Sequence, residues 1–179
     1  KIVKAENDSM GGDIHIGLPQ SKSITPLLKN NEQFSQKLSA SSALLIDVHS
    51  HKVLYNKDSA SIRPLASITK LMSALVLLDR PIDWTNTTTI EKSDGDGDNI
   101  VNEGEIFTLE DLWNAGMIGS SNRAIKALVR NSGLSSEGFV MLMNKKAKEL
   151  NFNSFNFVEP TGLSSSNVGS ANDVAYLLK

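Results

Sequence analysis

The sequence predicts a single mixed α/β domain, and three observations lead to this prediction. Two short apolar stretches near residue 50 have the composition of β-strands, and several longer stretches with helical periodicity follow them. The 179 residues, 40% of them hydrophobic, can bury one core and are too few for two comfortable domains. Residues 1–38 are rich in Ser, Asn, Lys and Gly without periodicity, so we expect an N-terminal extension or linker before a domain at 39–179.

The first elements of this domain are a hairpin and a helix. Residues 43–48 and 52–55 have strand composition and flank a polar turn at 49–51, which predicts two paired strands. Leucines recur at helical spacing between residues 65 and 79, and Pro81 prevents continuation. We therefore predict a helix over 65–79, soon after the hairpin.

Capping residues predict four further helices. Ser and Thr are preferred at the N-cap because their side chains accept a hydrogen bond from a backbone N–H group of the first turn. The predicted starts are Thr108, a position near Ser120, Ser135 or Ser136, and Ser170. Gly133 is placed to end the second of these helices. Before the last one, the phenylalanines of residues 152–158 alternate imperfectly with Asn and Ser, which indicates a short strand or an extended segment.

Charge and composition exclude several classes of partner and site. A net charge of -2 and a pI near 5.9 give no broad positive field, so we expect no nucleic-acid partner. Without cysteine, the chain forms neither disulfides nor thiolate zinc sites. The longest apolar stretch, 71–78, is far shorter than the roughly 20 residues that cross a bilayer. We expect no membrane anchor in this chain, and any export signal to have been removed or to lie outside it.

Ser67 and Lys70 are the first candidate catalytic pair. They lie three residues apart at the start of the first predicted helix, so their side chains share one face. A serine hydroxyl needs a base to become a good nucleophile, and a lysine serves as that base when burial or a neighbouring positive charge lowers its pKa. Ser-x-x-Lys also occurs by chance, and an N-capping serine followed by a solvated lysine is the ordinary alternative.

A second motif, Ser120-Ser121-Asn122, lies at a predicted helix start roughly fifty residues later. Short polar side chains there are also ordinary caps. Both motifs in this order are less expected by chance than either one alone. With them, the sequence resembles the serine penicillin-binding peptidases, the D-alanyl-D-alanine carboxypeptidases and endopeptidases. That family carries Ser-x-x-Lys, then Ser-x-Asn, then Lys-Thr-Gly. Residues 67–70 match the first motif and residues 120–122 the second, with serine in its middle position.

The resemblance covers roughly residues 40–179, and residues 121–124 and 157–165 are most similar to the endopeptidase branch, the penicillin-binding protein seven type. It implies an α/β fold of the β-lactamase and penicillin-binding transpeptidase type. Because no Lys-Thr-Gly occurs, we expect a C-terminally truncated form with the helical part and the early strands. Residues 39–179 would then be the N-terminal portion of the peptidase domain.

The resemblance also implies a role for each motif residue. Ser67 would attack the carbonyl of a D-alanyl peptide bond to form an acyl-enzyme, and Lys70 would accept its proton. Ser120 would relay a proton to the departing amine, while Asn122 would orient Lys70 and hold the substrate backbone. The implied partners are peptidoglycan stem peptides, with β-lactams as covalent inhibitors of the same serine. No cofactor is implied, and the implied location is exported, either periplasmic or extracytoplasmic.

Two other functions stay open at this point. Without the third motif the activity of the 179-residue form is in doubt, which favours a non-catalytic peptidoglycan-binding or regulatory relic of the same fold. A β-lactamase is a further alternative. The choice between endopeptidase and carboxypeptidase also stays open, because the part of the site beyond residue 179 would help to shape the acceptor side of the substrate.

An acidic stretch suggests a calcium loop, which we weigh against a simpler interpretation. Residues 94–105 place carboxylates at the first, third, fifth and twelfth positions of such a loop. The preceding residues 87–90 form a poor helix, however, so we expect a solvated acidic loop and no metal site. His49 and His51 have no carboxylate cluster nearby and are expected in a polar turn.

The remaining large side chains are expected to have structural roles. We predict that Arg123 is an exposed helix residue rather than a contact for acidic substrate groups. Predicted core residues are Trp84, Trp113, Phe139, Met141 and Met143.

Overall fold

The structure is a computed structural model that describes residues 26, 38–95 and 100–179. The predicted hairpin is confirmed within it, since β1 (Ala43–Ile46) and β2 (Val53–Lys57) pair antiparallel. The Asp47 carboxylate fixes the connecting turn by accepting hydrogen bonds from the backbone N–H and hydroxyl of Ser50, at 2.7 and 2.5 Å. The predicted extension, residues 1–38, lies outside the described residues except for positions 26 and 38.

Two further strand pairs were not predicted. β3 (Ile62–Pro64) pairs antiparallel with β6 (Val168–Ser170), and β4 (Thr87–Thr89) pairs antiparallel with β5 (Ile106–Thr108). Each of these strands has three residues, too few for an alternating pattern to be visible in the sequence. The β3–β6 pair ties the segment just before Ser67 to a segment about a hundred residues later.

Residues 152–158 adopt the extended alternative rather than a strand. Asn156 and Val168 form an isolated bridge, with N–O distances of 3.0 and 2.9 Å. The next backbone N–H groups bond to side chains: Phe157 N donates to Asn144 Oδ1 and Val158 N to Asn167 Oδ1. Side-chain amides thus replace the ladder partners that a strand would require.

The four later helices begin where capping residues predict, whereas the first begins at Thr69, four residues after the predicted start. α1 (Thr69–Leu78) follows a 3-10 turn at Ala66–Ile68, and the later helices follow polar caps. Their bounds are α2 (Leu109–Met117), α3 (Asn122–Asn131), α4 (Ser136–Glu149) and α5 (Ala171–Leu177). The side chain of each N-cap residue accepts a hydrogen bond from the backbone N–H group three residues later. These N-cap residues are Thr108, Ser121, Ser135 and Ser170. Gly133 follows α3 with φ 77°, as predicted for a residue that ends a helix.

The hydrophobic core lies between α1, α3 and α4. Its fully buried members include Met72, Leu77, Ile125, Leu128, Phe139 and Met143. The partly buried Trp84 and Trp113 pack against this core and edge to face with each other, with ring centroids 5.3 Å apart. The prediction for Met141 is wrong: its side chain is 72% exposed, because it lies between Phe139 and Met143 in sequence and so faces away from the core.

Within the described part of the chain, the structure contains no helix with the length and apolar character that crossing a membrane requires.

Candidate active site

Ser67 lies on the 3-10 turn in front of α1, with its side chain exposed to solvent. The buried neighbours Leu65 and Thr69 anchor the turn on both sides. Neither this turn nor α1 has a side-chain cap, so Ser67 does not have the capping role that was the ordinary alternative for the first motif. Its hydroxyl is therefore available to other groups at the surface.

Lys70 is 3% exposed and lies directly beneath Ser67. Its Nζ is 3.1 Å from Ser67 Oγ, 2.6 Å from Asn122 Oδ1 and 2.9 Å from the Thr161 carbonyl oxygen. Two acceptors, Asn122 Oδ1 and the Thr161 carbonyl oxygen, together with the Ser67 hydroxyl, hold the flexible lysine chain in one position. The solvated lysine expected from a chance motif is thus excluded, and the amine is within reach of the Ser67 proton.

Ser120 joins the cluster through Ser67. Its Oγ is 3.0 Å from Ser67 Oγ, although 53 residues separate the two serines. The backbone of Ser120 is left-handed, with φ 58°, and Ser121 then caps α3 through the N–H of Ala124 at 3.0 Å. Asn122 begins α3 and turns its Oδ1 toward Lys70. The structure therefore brings the four predicted site residues into one continuous hydrogen-bonded group.

A loop at residues 159–167, which we call the Glu159 loop, supplies a contact that the motifs do not contain. The Thr161 carbonyl accepts from Lys70, and Thr161 itself is fully buried. Gly162 packs so closely on the 3-10 turn that carries Ser67 that an added Cβ would lie 1.8 Å from the Ala66 carbonyl oxygen. The sequence signals a turn at residues 159–162, but a backbone carbonyl has no sequence signature that could assign it to Lys70.

The Glu159 carboxylate organises this loop. Burial alone would raise the pKa of Glu159, but hydrogen bonds from the Thr161 hydroxyl and from the backbone N–H groups of Thr161, Gly162 and Ser164 outweigh burial. The pKa of this carboxyl is therefore held below its usual value, and Glu159 is ionised near neutral pH.

Arg123 differs from its predicted role. It is 7% exposed, and its guanidinium donates to the Gly95 carbonyl oxygen at 2.9 and 2.5 Å and to the Val101 carbonyl oxygen at 3.2 Å. Both carbonyls lie within the acidic stretch, residues 94–105, so Arg123 fastens that stretch to the start of α3. The expectation of an exposed helix arginine is wrong because loop carbonyls, rather than water, surround its charge.

The calcium-loop pattern finds no support at its two ends. Asp94 is 2% exposed and both of its carboxylate oxygens bond to Arg130, at 3.1 and 2.8 Å. Glu105 bonds to the backbone and side chain of Asn102. Positions 96–99 lie outside the described residues. Within the described residues, no group of three or more His, Asp or Glu side chains is arranged to hold a metal ion.

Comparison with known proteins agrees with this geometry. The family model for peptidase S11, described as D-alanyl-D-alanine carboxypeptidase, matches residues 29–179. The D-alanyl-D-alanine endopeptidase of Pseudomonas aeruginosa is 36% identical over 169 residues, which cover 92% of this chain and 54% of that protein. The D-alanyl-D-alanine carboxypeptidase DacF of Bacillus subtilis is 35% identical over 148 residues, covering 78% and 38% respectively. The chain thus spans about half or less of the length of these relatives.

A solved structure extends the agreement to the fold. The crystal structure of penicillin-binding protein D2 from Listeria monocytogenes in its ampicillin-bound form has a TM-score of 0.69 and 26% identity to this chain. The match covers 82% of this chain and 62% of that one. It confirms the predicted β-lactamase and penicillin-binding transpeptidase-like fold, and with it the resemblance drawn from the motifs. The chain belongs to the peptidase S11 family, the D-alanyl-D-alanine carboxypeptidases.

Proposed function

We propose that this chain carries the nucleophile-bearing part of a serine DD-peptidase, which cleaves D-alanyl peptide bonds of peptidoglycan through an acyl-enzyme on Ser67. One observation carries the proposal: Ser67 Oγ lies 3.1 Å from the Lys70 amine and 3.0 Å from the Ser120 hydroxyl. A nucleophile between a buried amine and a second hydroxyl has both a base and a proton relay within reach. Relatives named as D-alanyl-D-alanine peptidases support the same reaction class.

The proposed reaction begins with attack of Ser67 Oγ on the carbonyl carbon of the scissile bond. The neutral amine of Lys70 takes the hydroxyl proton as the C–O bond forms, giving a tetrahedral intermediate with a negatively charged oxygen. Collapse of this intermediate breaks the C–N bond. A proton passes through the Ser120 hydroxyl to the departing amine, and Lys70 returns to its neutral form.

The second half of the reaction releases the acyl group from Ser67. Water attacks the ester carbon and gives up a proton to the same amine and hydroxyl, which then return a proton to Ser67 Oγ. Asn122 orients Lys70 through the 2.6 Å contact to its Oδ1, and we assign its amide nitrogen to the substrate backbone. No step requires a metal or cofactor.

The proposed partners are peptidoglycan stem peptides, with β-lactams as covalent inhibitors. A β-lactam offers the same serine a strained amide carbonyl, and the Listeria monocytogenes neighbour was solved with ampicillin bound. Because peptidoglycan lies outside the cytoplasmic membrane, we propose an extracytoplasmic site of action. Endopeptidase and carboxypeptidase activity differ in the substrate on the acceptor side, and relatives of both names match this chain.

The test is incubation of the natural protein that contains this chain with a fluorescent penicillin. We expect a covalent adduct that withstands denaturation and disappears in Ser67→Ala, while Ser136→Ala, at an exposed serine on α4, keeps it. No adduct with the parent protein would refute the peptidase and favour a non-catalytic relic of the fold. Rapid loss of the adduct, with release of hydrolysed penicillin, would indicate a β-lactamase instead.

A further inference from the structure

The Glu159 loop contacts the residues on both sides of Ser67 in the chain. On the N-terminal side, the Leu65 N–H donates to the Asn167 carbonyl oxygen at 2.9 Å. On the C-terminal side, Asn167 Nδ2 lies 3.2 Å from Thr69 Oγ1, and the Thr161 carbonyl accepts from Lys70. The position of Lys70 relative to Ser67 therefore depends on the conformation of this loop.

The loop is held together by one carboxylate. Glu159 Oε2 accepts from the backbone N–H of Thr161 at 2.8 Å and from its hydroxyl at 2.5 Å. Oε1 accepts from Gly162 N at 2.6 Å, from Asn167 Nδ2 at 2.7 Å and from Ser164 N at 3.4 Å. All five donors belong to the loop itself. An ionised carboxylate is the side chain that accepts on both oxygens at once, which suits it to this arrangement.

The Glu159 carboxylate takes all five of these hydrogen bonds from uncharged donors. Two of the donor residues, Thr161 and Gly162, are those through which the loop contacts Lys70 and the backbone of Ala66 and Ser67. The influence of the carboxylate on the site therefore passes through the Thr161 carbonyl and the packing of Gly162.

We propose that Glu159 is a positioning residue for Lys70, an inference that rests on the proposed acylation of Ser67. The Glu159 carboxylate sets the direction of the Thr161 carbonyl, and that carbonyl keeps the Lys70 amine within reach of Ser67 Oγ. Without the carboxylate, the N–H groups of the loop bond to other acceptors, and the Thr161 carbonyl oxygen no longer points toward the Lys70 amine. Lys70 then samples positions from which proton transfer does not occur.

The proposal is tested with Glu159→Gln, which keeps the size of the side chain. A glutamine amide has one accepting oxygen, so its NH₂ group faces donors on one side of the loop whichever way the amide is turned. We expect the limiting rate of acylation by a fluorescent penicillin to fall about tenfold to a hundredfold. The half-saturating penicillin concentration should stay within about twofold, since Glu159 does not contact the ligand. Glu103→Gln, the same change at an exposed turn residue, should leave both quantities unchanged.

Two further measurements separate positioning from simple loss of structure. Amide hydrogen exchange over residues 159–167 should be faster in Glu159→Gln by about tenfold or more, while exchange in α3 and α4 stays as in the parent. Thr161→Val removes one donor to the carboxylate and keeps the carbonyl, so it should lower the same limiting rate by a smaller factor.

The outcomes distinguish this proposal from the proposed function. A parent protein that takes up no penicillin overturns both. A labelled parent, with a Glu159→Gln variant that reacts at the parental limiting rate, overturns the role of Glu159 and leaves the peptidase standing. A variant whose reactive fraction falls while its remaining molecules react at the parental rate shows a purely structural role, which also contradicts the proposal.

Discussion

Replacing Gly162 with alanine changes the point at which the Glu159 loop contacts the 3-10 turn that carries Ser67. Gly162 has φ 93°, and a Cβ built on it lies 1.8 Å from the Ala66 carbonyl oxygen, 2.3 Å from its carbon and 3.0 Å from the Ser67 nitrogen. All three are backbone atoms, so no side-chain rotation relieves the contact. The Cβ needs about 3.0 Å, and the two segments have to separate by about 1.2 Å, the difference between 3.0 and 1.8 Å.

The magnitude follows from two separate costs. A left-handed backbone costs a residue with a Cβ about 1 kcal/mol relative to glycine. Forcing a closely packed backbone contact apart costs a further 1–3 kcal/mol, roughly. We therefore expect Gly162→Ala to lower the free energy of unfolding by about 3 kcal/mol. Because Ser67 moves with the turn by about an ångström, acylation by penicillin should slow about a hundredfold.

Gly133 is a matched control for the Gly162 variant. It also has positive φ, at 77°, but apart from its chain neighbours no heavy atom of the described residues lies within 4 Å of its ideal Cβ. Gly133→Ala should therefore cost only the backbone strain, about 1 kcal/mol, and leave the acylation rate unchanged. Urea unfolding and penicillin labelling of both variants measure the two effects. Equal losses of stability in the two variants, or a parental acylation rate in Gly162→Ala, would refute the close contact between the loop and Ser67.

Three further predictions concern the ion pair, the loop carboxylate and the core. Arg130→Gln leaves the 2%-exposed Asp94 carboxylate without its cation, and urea unfolding should show a loss of about 2–3 kcal/mol, which a loss below about 0.5 kcal/mol would contradict. The pKa of Glu159 is lowered on folding, so its contribution to stability is present above its ordinary pKa of 4.5 and disappears as the pH falls through the folded value. Denaturant unfolding between pH 6 and pH 3, roughly, should therefore show a smaller pH dependence in Glu159→Gln than in the parent, and equal slopes would show that Glu159 does not contribute. Met143→Ala should lower the free energy of unfolding by about 2–5 kcal/mol and Met141→Ala by less than about 0.5, and a reversed order would place Met141 in the core.

Local elements were predictable from the sequence because their causes are local. Thr108, Ser135 and Ser170 cap their helices through N–H groups three residues away, so the capping residue and the helix start are visible together. The hairpin and α1 follow from composition and periodicity in the same way. The three-residue pairs β3–β6 and β4–β5 leave no such pattern, since their partners lie far along the chain.

The errors have the same origin. Arg123 lies on a helix, where an exposed charge is the usual expectation, but the carbonyls that surround it come from a loop more than twenty residues earlier. Met141 belongs to an apolar run in the sequence, and only the packing of α4 against α1 shows which side of that helix is buried. In both cases the environment of a side chain depends on a neighbour that its own segment does not specify.

The sequence by itself determined the residue types of the site, the helix starts that carry them and the family that they resemble. Helical spacing places Ser67 and Lys70 on one face, and the motif at residues 120–122 marks a second helix start. Only the tertiary structure decided that Ser120 lies 3.0 Å from Ser67 and that the Thr161 carbonyl, 91 residues from Lys70, holds its amine. The physical reason is that a backbone carbonyl is the same in every residue, so its role depends entirely on where the fold places it.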